Sequence, residues 1–527
     1  MSLPMTRRRF LELAGSTAVA SALPGRLFAQ EAGTVTISLL HTTDLHGHIL
    51  PTSDYHGRPN LGGLARCASQ IGAWRQACAH SLLLDIGDVY QGTAVSWADR
   101  GAVMMRLLNA LKYDAWVVGN HEFDWGADVF AARVADSAMP VLSGNALLSG
   151  KPSGTLAAGT GPFAKVRPWL MKEVAGFRLA IVGLTTPALS TWSPPEFLRD
   201  YESLDPIQSL RSILDEVAAQ KPDAIILAGH MGLVRRDDLA NQIGEITRDF
   251  PQIAVCLGGH THQDHPGEIS HGVLYTQADH FGIHAGKVDL TFDRSTRQLV
   301  DRHALTVLMD ATIPFDPLVM SLAQTELAAA EKELARTAGT LGEPFRASTV
   351  FGRPGEQERL IGSAVKAALQ KQGMEIDVVI HGLFDERREM PPGTVTVADV
   401  WRFLPYENQV VTFEASGADL TALAQEIAAA RDLRQVMGVR VITAPDGSAL
   451  KVVELRTSAG APIDPGATYR VAVNSYDSQS GGGKLPLLGR LVAAPGGKRV
   501  LHATQTREAT IDFFTSRGTV NRAVLLL

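Results

Sequence analysis

The chain has 527 residues, a formal net charge of −6 and 45% hydrophobic residues. That is too long for one compact domain and leaves room for two to four. The mild acidic balance comes without a basic patch, which excludes nucleic-acid binding and membrane-surface adhesion as leading functions. The 49 Gly and 27 Pro are dispersed, so they punctuate turns rather than mark a disordered tract.

The amino terminus reads as a targeting segment. Arg7, Arg8 and Arg9 precede Phe10 and Leu11, and a weakly apolar stretch follows to Leu23, broken by Glu12, Gly15 and Ser16. It is too short and too polar to span a bilayer. The pattern predicts a twin-arginine signal peptide over residues 1–29, cleaved after Ala29. It implies passage through the twin-arginine translocase and a soluble, periplasmic mature protein. No later stretch reaches transmembrane length, so no stable membrane insertion is expected. Of three cysteines, Cys67 and Cys78 lie about 16 Å apart along one predicted helix, too far for a disulfide. Cys256 sits in an apolar run and is expected in the core.

After the signal, strands and helices alternate. Strands are predicted at 35–40, 81–84, 115–118, 177–184, 224–228 and 253–257, with helices at 61–79, 102–111 and 206–219. Short apolar runs alternating with helical patterns predict an α/β domain with buried sheets, over 33–314. From Phe315 to about Leu341 the pattern is helical, with Leu318, Leu322, Leu327 and Leu334 on an Ala- and Glu-rich stretch. It predicts a linker helix over 315–345. A second, α+β domain is expected over 346–527, with helices at 358–371 and 418–431 and strands at 377–380, 410–415, 450–456 and 469–474.

Five predicted strand ends in the first domain carry Asp, Asn or His: Asp44 and His46, Asp88, Asn120 and His121, His230, then His260 and His262. A lone His beside a strand is usually a satisfied polar residue. Five such ends together are hard to obtain from core packing. Carboxyl ends of strands are where α/β folds place their sites. The set offers enough ligands for two divalent ions side by side, with one carboxylate shared. Such a pair clamps the oxygens of a displacement reaction, and the mixed imidazole and carboxylate donors suit zinc, manganese or similar ions.

These runs resemble the calcineurin-like metallophosphoesterases, and within them the 5′-nucleotidase family, which includes 2′,3′-cyclic-nucleotide phosphodiesterases and UDP-sugar hydrolases. The matching runs are Thr43–Gly47, Asp85–Gly92, Gly119–Gly126, Gly229–His230 and Gly258–His262; the Gly-Asn-His-Glu-Phe-Asp run is the most specific. The resemblance implies a metallophosphoesterase β-sandwich flanked by helices, followed by the linker helix and an α+β substrate-binding domain. It implies two divalent cations. Asp44, His46 and His262 would bind the first, Asn120, His230 and His260 the second, and Asp88 would bridge. His121 and Asp124 would form a catalytic dyad. His48, His56, His265, His271, His280 and His284 are expected outside the ligand set, His280 being the one best placed to line the pocket.

In the second domain, Phe403–Asn408 resembles the family's Leu-Pro-aromatic run, and Asn474–Tyr476 with Gly481–Gly483 resembles its later Gly-rich run. The resemblance implies that Tyr406 and Tyr476 sandwich a nucleobase. The chain departs from the family at His381-Gly382, where an Asn is usual, and at Gln357, where an Arg often stands. Arg387 is the candidate replacement for the family arginines that hold substrate phosphate or ribose, with Arg353 and Arg388 as alternatives. The expected activity is hydrolysis of 5′-nucleotides, cyclic nucleotides or UDP-sugars. The alternatives are a thiosulfohydrolase of periplasmic sulfur oxidation, or a non-catalytic binding protein on the same fold.

Overall fold

The computed structural model describes residues 33–148, 165–199, 201–383, 389–430, 434–447 and 449–525. The predicted signal peptide and Arg387 lie outside the described residues. Among the described residues no helix is long and apolar enough to cross a membrane.

Two sheets face each other in the first domain. The seven-stranded sheet runs in the order Leu299–Leu308, His284–Asp293, Thr34–Thr42, Ser81–Asp85, Ala115–Val117, Val141–Leu142, Val166–Arg167. The six-stranded sheet runs Asp264–Ser270, Val273–Ala278, Val255–Gly258, Ala224–His230, Phe177–Thr185, Trp169–Val174. Between them Ile37 and Leu39 of one sheet pack against Ile181, Ile226 and Leu257 of the other. On its outer face the first sheet meets helices Leu64–Ala77 and Ala102–Ala110, through Leu40, Leu83 and Trp116. The second sheet meets Pro206–Ala219 and Ile243–Asp249, through Val182 and Leu227. Both faces of each sheet are thus covered. That is why inner strands such as Ser81–Asp85, Phe177–Thr185 and Val255–Gly258 read as near-continuous apolar runs.

The predicted elements fall within a few residues of the observed ones, with one correction. The helix that starts at Pro317 stops at Leu334 rather than continuing through Leu341. Asp316 caps it, accepting from the backbone N–H of Leu318 and Val319. Thr337–Leu341 is instead a strand, pairing antiparallel with Gly393–Thr396 and parallel with Thr519–Val520. Its Ala338 and Leu341 point into the second domain's core. Pairing with distant strands overrides the local helical composition. The helix itself packs back on the first domain through Val319 and Ala323.

The second domain is α+β. A five-stranded sheet, ordered Gln435–Met437, Val378–His381, Thr468–Asn474, Gln409–Ser416, Val500–Gln505, packs against helices Glu356–Gln370 and Gly417–Ala430. A ribbon of Val439–Asp446 and Ala449–Thr457 lies beside it.

The sandwich interior makes a direct test. Ile226 is fully buried and Leu318 is 47% exposed. Ile226→Ala is expected to cost about 2–5 kcal/mol in the first domain's urea transition. Leu318→Ala should stay within about 0.5 kcal/mol of the parent protein. Equal effects would contradict the layer assignment.

Candidate metal centre

Parallel pairing brings the functional strand ends together. Thr34–Thr42, Ser81–Asp85 and Ala115–Val117 are mutually parallel, so Asp44, Asp88 and Asn120 emerge at one edge of their sheet. Phe177–Thr185, Ala224–His230 and Val255–Gly258 are parallel in the other sheet, which delivers His230, His260 and His262 to the adjoining edge. The loops lace to one another through their backbones: the N–H of Asp44 donates to the Gly87 carbonyl and that of His46 to the Asp88 carbonyl, each at 2.9 Å. Asp44, His46, Asp88, His260 and His262 all sit at positive φ, between 47° and 73°. None is glycine, so each holds an unfavourable conformation that the surrounding hydrogen bonds must sustain. Such strain concentrates at functional sites.

Among the described residues three groups of potential ligand atoms result, each lying within 4.8 Å: Asp44, His46 and His262; His46, Asp88 and His121; Asp88, His230 and His260. Asp88 lies between the two sides, with Oδ2 3.1 Å from His230 Nε2 and 3.7 Å from His46 Nε2. Asn120 joins the second side through Oδ1, 2.9 Å from His260 Nδ1.

The donor set fits divalent cations. His46 Nδ1 lies 2.9 Å from the Gln91 carbonyl and His230 Nδ1 2.7 Å from the Ile86 carbonyl. A carbonyl only accepts, so these nitrogens carry protons, and Nε2 is the ring atom turned inward, where a cation would bind once it is free of a proton. His46 Nε2 lies 3.1 Å from His262 Nε2. The buried Asp88 Oδ2 and His230 Nε2 make no well-aligned hydrogen bond. Burial pushes His46 and His260 down to about 3, leaving neutral imidazoles. Burial opposes charge on Asp44, yet His230 and His262 hold its carboxyl down to about 2. Burial likewise opposes charge on His230, but Asp88 and Asp44 hold it up to about 10, so a cation there would compete with a proton.

Beside this centre, His121 Nδ1 lies 2.6 Å from Asp124 Oδ2. The His121 backbone N–H donates to Asp88 Oδ1 at 2.8 Å. Burial disfavours the imidazolium, but Asp124 and Asp88 outweigh it and raise His121 to about 10. Glu122 braces the loops from below. Its carboxylate accepts from the backbone N–H of Asp88 at 2.9 Å, Val89 at 2.8 Å and Gly119 at 2.6 Å. Sequence reasoning did not single it out, although its place in the Gly-Asn-His-Glu run is the signal that could have.

The other histidines take different partners. His48 lies against Phe281, with centroids 4.0 Å apart and the planes tilted by 30°. His265 pairs with Glu268, His271 approaches Thr247, and His284 pairs with Asp279. The His56 backbone N–H donates to Asp54. His280 is buried and stacks on His262 at 4.9 Å.

A cavity of about 680 Å³ runs from Asn120, His121, Asp124 and His260 to Tyr406, Asn408 and Tyr476 of the second domain. Tyr406 lies parallel to His121, with centroids 6.5 Å apart. Trp192, Arg434 and Lys484 also line it, and sequence reasoning did not single them out. Arg434 is buried, donates to Asp477 Oδ1 at 2.8 Å from Nε, and lies 6.0 Å from the Tyr476 ring. His381 is buried nearby, its Nδ1 2.6 Å from the Gly382 carbonyl. Gly482 has φ of 69°, and a Cβ there would lie 2.7 Å from the Tyr476 hydroxyl and 3.3 Å from Trp192 Nε1. The glycine lets the backbone pass between these rings. The Leu404–Glu407 run that carries Tyr406 is held by Arg507, fully buried, which donates to the carbonyls of Leu404 and Pro405 and to Glu407.

Residues 37–264 match the family model described as calcineurin-like phosphoesterase, and residues 337–490 match that of the 5′-nucleotidase C-terminal domain. The chain is 26% identical to protein UshA of Yersinia enterocolitica over 511 residues, 87% of this chain and 88% of that protein. Among solved structures, the 5′-nucleotidase precursor from Thermus thermophilus is 26% identical with a TM-score of 0.67, covering 92% of this chain and 97% of that one. The sulfate thiohydrolase SoxB of Thermus thermophilus shares the fold at 18% identity and a TM-score of 0.63, covering 92% and 94%. The chain belongs to the calcineurin-like metallophosphoesterases that carry a 5′-nucleotidase C-terminal domain, and is a metal-dependent phosphoester hydrolase.

Proposed function

We propose that the protein is a dinuclear-metal hydrolase of 5′-nucleotides or related nucleotide esters, yielding nucleoside and phosphate, and that the twin-arginine route exports it to the periplasm. The observation that carries this reading is the cavity shared by His121, Asn120 and His260 on one wall and Tyr406 and Tyr476 on another. A phosphoester with an aromatic base fits a site with cation ligands at one end and aromatic rings at the other.

In this reading Asp44, His46 and His262 hold one divalent cation, Asn120, His230 and His260 a second, and Asp88 both. Bound there, such ions supply positive charge to the phosphoryl oxygens and acidify water. The chain does the rest. The His121 imidazolium faces the cavity and stabilises negative charge on the phosphoryl group or the departing oxygen. Asp124 fixes its tautomer and keeps it charged. Tyr406 and Tyr476 hold the base by stacking, which tolerates different bases. Among the described residues Arg434 and Lys484 join the His121 imidazolium in lining this cavity, and together they favour an anionic substrate.

The deciding experiment is a hydrolysis screen of the holoenzyme on 5′-, 3′- and 2′,3′-cyclic nucleotides, UDP-sugars, simple phosphomonoesters and a thiosulfonate. Preference for the thiosulfonate, or no turnover at all, would overturn the proposal. Within it, Asp88→Ala is expected to lose both metal and activity, and undiminished phosphatase activity would refute the shared-ligand role. His121→Ala should lower kcat by about 10²–10⁴-fold with metal content unchanged. Tyr406→Ala should cost about 1–3 kcal/mol in nucleotide binding, read as a rise in KM.

A pH prediction follows from the dyad. His121 is held at about 10 in the metal-free protein, so its imidazole should remain protonated from pH 6 to 8 by NMR. Asp124→Asn removes the main charge that raises it, and the titration should move down toward the ordinary value of about 6.5. A wild-type midpoint near 6.5 would contradict the dyad.

A further inference from the structure

His46, His230 and His262 are oriented in two different ways. His46 and His230 each turn Nδ1 to a backbone carbonyl, of Gln91 and Ile86. A carbonyl is supplied by any residue, so side-chain substitution leaves that partner in place. His262 is different: its Nδ1 lies 2.7 Å from the Tyr55 hydroxyl. Its Nε2 faces inward, 3.4 Å from Asp44 Oδ1 and 3.1 Å from His46 Nε2.

Tyr55 is held in place although 47% exposed. It sits on the loop between Thr52 and Leu61, which pair as an isolated antiparallel bridge. Asp54 fastens the turn, accepting from the backbone N–H of His56 at 3.0 Å and of Arg58 at 2.7 Å, and from Arg58 Nε at 2.6 Å. The Tyr55 ring stacks on His280 with centroids 4.3 Å apart and planes 12° off parallel. His280 in turn stacks on His262 at 4.9 Å and 10°. Asp279 anchors His280 at 2.5 Å and His284 at 2.9 Å. Tyr55 and His280 thus fix the plane of the His262 ring, and the Tyr55 hydroxyl, a group that can accept or donate, lies within hydrogen-bond distance of its Nδ1.

We infer that Tyr55 is a positioning residue for the first cation site: its hydroxyl accepts from His262 Nδ1–H and so commits His262 Nε2 to the cation. The inference rests on the proposed ligand set Asp44, His46 and His262. Partners of this kind orient ligating histidines and raise their basicity, and losing one typically costs about 10–100-fold in metal affinity. The consequence is selective. On the other side of the centre His230 takes a backbone partner, so its orientation has no such dependence on a loop side chain.

The test is a Mn²⁺ titration of the metal-free protein by calorimetry and electron paramagnetic resonance, on the parent protein, Tyr55→Phe and His262→Ala. Tyr55→Phe keeps the ring on His280 and deletes only the hydroxyl. It is expected to weaken one of two Mn²⁺ binding steps by about 10–100-fold and leave the other unchanged, with the parent's far-ultraviolet circular dichroism. Two unchanged steps in Tyr55→Phe, with one step lost in His262→Ala, would overturn the role of Tyr55 while leaving the ligand set standing. Unchanged binding in His262→Ala would remove the ligand set itself, and the inference with it. Weakening of both steps equally in Tyr55→Phe would also overturn it, since the effect would then not be confined to His262.

Discussion

The buried carboxylate of Asp88 holds the centre together. It accepts from the His121 backbone N–H, faces His46 and His230, and its own N–H and carbonyl bind Glu122 and His46. A charge this deeply buried is costly unless paired. Imidazoles from both sheets converge on it, so the edge where the sheets meet is defined electrostatically as well as by packing. The sandwich core beneath it supplies the rigidity that keeps those groups crowded.

The backbone shares in this constraint. Asp44, His46, Asp88, His260 and His262 all occupy the left-handed region, which side-chain-bearing residues adopt at a cost. Glycine would relieve the cost but bring no ligand. The hydrogen bonds between loops, such as Asp44 to Gly87 and His46 to Asp88, are the compensation.

The convergence of these side chains was legible in the sequence because the candidate ligands cluster in short runs at strand ends, where spacing and chemistry reinforce each other. The parallel strands at 34–42, 81–85, 115–117, 177–185, 224–230 and 255–258 were legible for a related reason: buried on both faces, they are largely apolar runs, whereas Val273–Ala278, also parallel and buried, was not singled out. The edge strand Asp264–Ser270 was not, since it is largely exposed and polar. Thr337–Leu341 was not, because its strand character comes from partners at 393–396 and 519–520 rather than from Thr-Ala-Gly-Thr-Leu itself. Trp192 and Arg434 carry no local motif; they come into the cavity through the fold of segments remote from the metal runs. Glu407 and Arg507, 100 positions apart, pair for the same kind of reason.

Gln91 belongs to both halves of the molecule at once. Its carbonyl orients His46, while its side-chain amide donates to Glu407 of the second domain at 2.7 Å. The first contact is generic to any amino acid and the second is peculiar to glutamine's reach and chemistry. Exchanging the Gln91 side chain would therefore remove a contact between the domains while leaving in place the carbonyl that faces the imidazole.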